Sequence, residues 1–117
     1  MHEVNFLLPN GDTVASLAGQ PHDWTVMQGA VDGAGPGQRV SIAMIDHPRN
    51  PRSPVPWYNK SGNGFNYMNA AFLFHEPLVV KRGESLKFNY RILYRDGQWT
   101  RDEFKSIAEE FRAAKLS

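Results

Sequence analysis

Twelve residues, Asp46-His47-Pro48-Arg49-Asn50-Pro51-Arg52-Ser53-Pro54-Val55-Pro56-Trp57, hold four prolines and six polar or charged side chains, directly after an apolar run. Proline fixes φ and has no N–H to give a backbone ladder, so this stretch is excluded from helix interiors and central strands. It predicts a stiff, irregular loop. Such a loop, carried on a rigid scaffold, is a natural place to hold a polar ligand.

The flanking sequence predicts strands. A chain of 117 residues makes one domain, 1–117, with a modest core. Glu3 to Leu8 and Thr13 to Leu17 read as strands joined by the turn Asn10-Gly11-Asp12. Gly19 to Asp23 reads as a loop, Trp24 to Val31 as a strand, and Asp32 to Gln38 as turn-forming. Arg39 to Ile45 alternates with apolar residues on both sides, which predicts a central strand covered on both faces. Beyond the proline loop, Asn63-Gly64 reads as a hairpin tip, and Ala70 to His75 and Leu78 to Lys81 as strands. Ser85 to Arg95 is the clearest strand. Leu86, Phe88, Tyr90, Ile92 and Tyr94 are its expected core face, and Lys87, Asn89, Arg91, Leu93 and Arg95 its wet face. Thr100 with Glu103 fits a capping box, followed by a helical stripe of Phe104, Ile107, Ala108, Phe111 and Ala114, with Glu109, Glu110 and Arg112 toward water. The expected fold class is all-β: an antiparallel β-sandwich with one C-terminal amphipathic α-helix.

Composition narrows the function classes. The formal net charge is +1 with both signs interleaved, so no basic stripe for nucleic acid is present. There is no cysteine, which excludes disulfides, thiolate nucleophiles and zinc–thiolate sites. No apolar run is long enough to span a bilayer, and the N-terminal residues lack the pattern of a signal peptide. The chain is expected to be soluble, with no membrane partner. No Gly-rich phosphate loop, serine elbow or zincin motif occurs, and no cofactor or metal is expected.

The candidate site residues lie in and after the loop. Asp46, Asn50 and Arg52 offer a carboxylate, an amide and a guanidinium suited to forked hydrogen bonds with hydroxyls. His47, with a reference pKa near neutrality, is the candidate proton carrier, with Asp46 beside it. Trp57 and Tyr58 would form a flat apolar platform. His75 and Glu76 close the next apolar segment and would converge on the loop as ligand contacts. A metal site of His47 and His75 is a further arrangement weighed for these ends. The Asn59 to Asn69 segment, with Tyr58, Phe65 and Tyr67, reads either as a ligand-contacting flap or as a plain hairpin.

The motif Asp-His-Pro-x-Asn-Pro-Arg-x-Pro-x-Pro-Trp resembles the hallmark of a bacterial family of unknown function often labelled methane oxygenase PmoA-like. Glu76-Pro77-Leu78, Lys81-x-Gly83-Glu84-x-Leu86 and Tyr90-Arg91-Ile92-Leu93 are similar to that family's C-terminal region. Members of that family are usually longer, so the resemblance implies the C-terminal portion of a larger domain. Methane oxidation in a membrane is not carried over, because this chain has no spanning helix. The resemblance implies a carbohydrate-related role and a likeness to large sandwiches of the sugar-mutarotase type. The expected partner is thus a small polar, sugar-like ligand, and exposed sheet edges would favour a homodimer. The alternative is a non-catalytic structural or interaction module, its loop a buried brace with Asp46 paired to Arg52 and Trp57 in the core.

Overall fold

The computed structural model describes residues 1–35, 37–62 and 64–116. Among the described residues, seven strands and one helix follow in the order β1 (His2–Leu7), β2 (Thr13–Val14), β3 (Leu17–Pro21), β4 (Trp24–Ala30), β5 (Arg39–Asp46), β6 (Pro56–Asn59), β7 (Tyr90–Asp96) and α1 (Arg101–Ala113). An antiparallel five-stranded sheet runs β2-β1-β4-β5-β7, and β3 pairs with β6 in a second sheet of two strands. The two sheets pack as a sandwich.

Two apolar clusters sit on opposite faces of the larger sheet. On one face Trp24, Val26, Ala43 and Ile45 meet Phe104, Ala108 and Phe111 of α1, with Trp99 at the helix entry. On the other, Met44 packs toward Leu17, Val55 and Trp57 of the small sheet and its approach. Strand β5 is therefore covered on both sides, as its two apolar faces predict. Helix α1 begins where its sequence signals it. The Thr100 side chain accepts from the Glu103 N–H, and the Glu103 carboxylate accepts from the Thr100 N–H.

Several expectations are corrected. Thr13 to Leu17 is not one strand, and Gly19 to Asp23 is not simply a loop. The chain crosses between sheets after Val14, and Leu17–Pro21 is β3, with a register shift between Ala18 and Gln20 where Gly19 takes φ +94°. Trp57 belongs to β6 rather than to the loop. Ala70 to His75, Leu78 to Lys81 and Ser85 to Asn89 are not strands. The return past β6 touches it only through the bridges Trp57–Ala70 and Lys60–Tyr67, after which Phe74 N–H turns back to Ala71 C=O. The tip expected at Asn63-Gly64 involves Asn63, which lies outside the described residues.

The packing of β7 also departs from expectation at Ile92, Leu93 and Tyr94. Ile92 and Tyr94, expected in the core, are 65% and 82% exposed. Leu93 packs on the helix-side cluster instead. Beside it the guanidinium groups of Arg91 and Arg95 lie 4.8 and 5.4 Å from the Phe111 and Trp99 ring centres. Arg91 and Arg95 stay exposed, as expected, while arginine also covers an apolar surface with its stem and stacks its planar head on rings, so the same face can pack on the helix-side cluster. Arg112, expected toward water, turns inward to the Asp46 carbonyl and to Asp23.

Candidate functional site

The proline loop leaves β5 at Asp46, and its polar groups point into the protein. The fully buried Asp46 carboxylate accepts from Asn50 Nδ2 at 2.7 Å and from the Val55 N–H at 3.1 Å. Asn50 also gives Nδ2 to the Asn89 carbonyl at 2.7 Å and takes the Asn89 N–H at 2.6 Å. A side-chain amide thus supplies Asn89 with the donor and acceptor that a neighbouring strand would supply. The nearby Tyr90 phenol is pushed above its usual range, by burial first and then by the charge of Asp46.

His47 is 2% exposed. Its Nε2 donates to the Ala114 carbonyl at 2.9 Å, its Nδ1 accepts the Arg49 N–H at 3.1 Å, and its ring stands edge-on to Phe111. Both nitrogens are thus engaged at the C-terminal end of α1. Trp57 is completely buried, with Nε1 donating to the His22 carbonyl at 2.8 Å. The expected platform of Trp57 with Tyr58 is therefore corrected: adjacent residues on a strand point to opposite faces, so when Trp57 fills the core Tyr58 faces out.

Arg52 does not pair with Asp46. It has φ +62°, and its Nη1 donates to the Phe72 and Glu76 carbonyls at 2.9 and 2.5 Å, its Nη2 to the Pro77 carbonyl at 2.9 Å. This grip draws residues 72–77 over the loop and opens a surface cleft of about 290 Å³, lined by Arg52, His75 and Glu76 with Pro54, Pro56 and Phe72. His75 Nε2 bonds the Gly19 carbonyl at 2.8 Å. A Cβ on Gly19 would fall 2.5 Å from the Phe74 ring, so only glycine lets this segment settle on β3.

Of the sequence-nominated residues, the structure brings Arg52, His75 and Glu76 together at one cleft. It separates them from Asp46, His47 and Asn50, which are tied internally. His47 and His75 face different partners, and among the described residues no group of three or more His, Asp or Glu could hold a metal ion. The amides of the following segment are braces as well. Asn59 bonds Thr25 Oγ1 and the Asn69 N–H, and Asn66 bonds the Met1 carbonyl.

A row of rings runs from Phe65 to His75. Phe65 meets Tyr67 at 5.7 Å, Tyr67 meets Tyr58 at 5.9 Å, Tyr58 meets Phe74 at 5.9 Å, and Phe74 meets His75 at 5.0 Å. Lys60 Nζ lies 5.1 Å from the Tyr58 ring centre. The Tyr67 phenol is held above its usual range by burial, then by its hydrogen bond to Tyr58. Phe65, Tyr67 and Tyr58 stand out in the sequence as aromatics among amides. Phe74 does not, because its apolar neighbours read as a core strand.

A family model matches residues 1–109, and the chain belongs to that family, a family of unknown function (DUF6807). No curated protein and no solved structure matches the chain. No helix among the described residues is long and apolar enough to cross a membrane.

Proposed function

We propose that this domain binds a carbohydrate, laid along the rings of Phe65, Tyr67, Tyr58 and Phe74 with a polar end in the cleft of Arg52, His75 and Glu76. The observation that carries this is the continuity of the rings with the cleft through the Phe74–His75 contact. Sugars present an apolar C–H face beside hydroxyls, and amphipathic ligands of that kind suit aromatic surface edged by a few fixed polar groups. His75, with Nε2 held by Gly19, lines the cleft, and the exposed Glu76 carboxylate beside it adds acceptors. The proposal is one of binding, because Asp46 and His47, the pair suited by type to proton transfer, spend their polar atoms inside the protein.

The rival is a structural or interaction module, favoured by the inward saturation of the loop. Calorimetric titration against a glycan panel separates the two. The parent protein binds at least one glycan; Phe65→Ala with Tyr58→Ala lowers that affinity at least tenfold, about the 1.4 kcal/mol expected from losing ring contacts, while thermal unfolding moves little. A parent protein that binds nothing in the panel, or a double variant that binds as well as the parent, would overturn the carbohydrate reading.

A further inference from the structure

We infer that a second copy of this chain pairs with β7, edge to edge and antiparallel, about a two-fold axis at Ile92. Strand β7 ends the five-stranded sheet. The opposite end is blunted by the two-residue β2, whereas β7 offers seven residues. The direction of its backbone groups follows from its neighbours. Asn89 directs its C=O to the His47 N–H, and Gly97 directs its N–H to the Arg39 C=O, both toward the sheet. By alternation, the N–H and C=O of Tyr90, Ile92 and Tyr94 point away from it.

The usual guards of an open edge are missing. β7 contains no proline, lysine or bulge, and its two arginines are laid back over Phe111 and Trp99 rather than across the edge. Its other face exposes Ile92 and Tyr94 next to the half-buried Ile42 and Met44 of β5. Residues 78–87 add exposed Leu78, Val79, Val80 and Leu86 nearby in the chain. The radius of gyration, 15.2 Å, exceeds the roughly 13 Å of a compact chain this long.

Charge selects both the partner and the register. Like charges directly opposite one another destabilise a strand pair. An axis at Arg91 sets that arginine against its own copy, and an axis at Leu93 sets Arg91 against Arg95. An axis at Tyr94 gives an overlap of equal length within β7 but sets the exposed Ile92 against Asp96. The axis at Ile92 avoids all of these. It places Ile92 against Ile92, Tyr90 against Tyr94, Arg91 against Leu93 and Arg95 against Asn89. The edge is thus complementary to itself, with outward backbone groups meeting outward backbone groups.

The absence of cysteine in the chain allows a direct test by single-cysteine variants. Residues opposed as a hydrogen-bonded antiparallel pair have Cα atoms about 5.5 Å apart, within disulfide reach. Under mild oxidation Ile92→Cys gives a covalent dimer. Asp96→Cys stays monomeric on a non-reducing gel, since the two copies of that position lie roughly 27 Å apart along the paired strands. In sedimentation equilibrium the parent protein has the mass of a dimer at micromolar concentration. Tyr94→Lys weakens association at least tenfold with an unchanged circular dichroism spectrum. A parent protein that stays monomeric, or an Asp96→Cys variant that links as readily as Ile92→Cys, would overturn the inference.

Discussion

At the scale of single residues, the proline loop is a knot of satisfied polar groups. Asp46 holds the loop's start and its Val55 end, and Asn50 joins that carboxylate to the main chain before β7. Removing one member of a buried set strands the others, at about 1–3 kcal/mol for each group left without a partner. Asn50→Ala should therefore lower the urea-unfolding free energy by about 2–3 kcal/mol, and Asn50→Asp should not restore it, because it sets a second carboxylate beside Asp46. His22 gives a pH dependence with a definite sign. Burial holds its imidazole below the ordinary value, and Asp23 pulls the other way. A depressed histidine pKa means that the unfolded chain binds the proton more readily, so stability is present at neutral pH and falls as pH drops below about 6.5. His22→Gln should flatten the dependence of Tm on pH in that window, and an unchanged slope would remove His22 as its source. The residue types of the loop were legible from the start. Their direction was not, because it depends on α1 and Asn89, which arrive much later in the chain.

Among the elements, the helix is legible almost whole in the sequence. Its cap and its apolar stripe are local signals, both present within residues 100–114. Thr100→Ala removes the acceptor for the Glu103 N–H and should cost about 1 kcal/mol, measured as a shift of the urea midpoint with an unchanged slope. Strand β7 is legible in its alternation, but its covered side is not. Alternation reports two faces and not which of them is packed. That choice was made by α1, which lies on the arginine side, while only two strands cover the other side of the larger sheet. Ala70 to His75 failed for a related reason. Its aromatic residues read as strand, yet Arg52 and Gly19 hold the segment as turns over the small sheet.

For the whole molecule, five strands face two, and stability is expected to divide accordingly. The central β4 and β5, buried between two layers, should show the slowest amide exchange, and residues 78–88 the fastest. Raising the protein concentration should slow the Tyr90, Ile92 and Tyr94 amides selectively, since they are the groups a second copy would engage; a uniform response would argue against that pairing. The sandwich class was legible because alternation, turns and the cap all agreed. The cleft was not, because it exists only after Arg52 reaches across to carbonyls twenty or more residues away. Asn50 standing in for a strand next to Asn89 has one more consequence. The twelve-residue proline stretch serves assembly, a stitch that fixes where the last strand starts. Two chains that share such a stretch would be alike in how they close, and could hold quite different molecules.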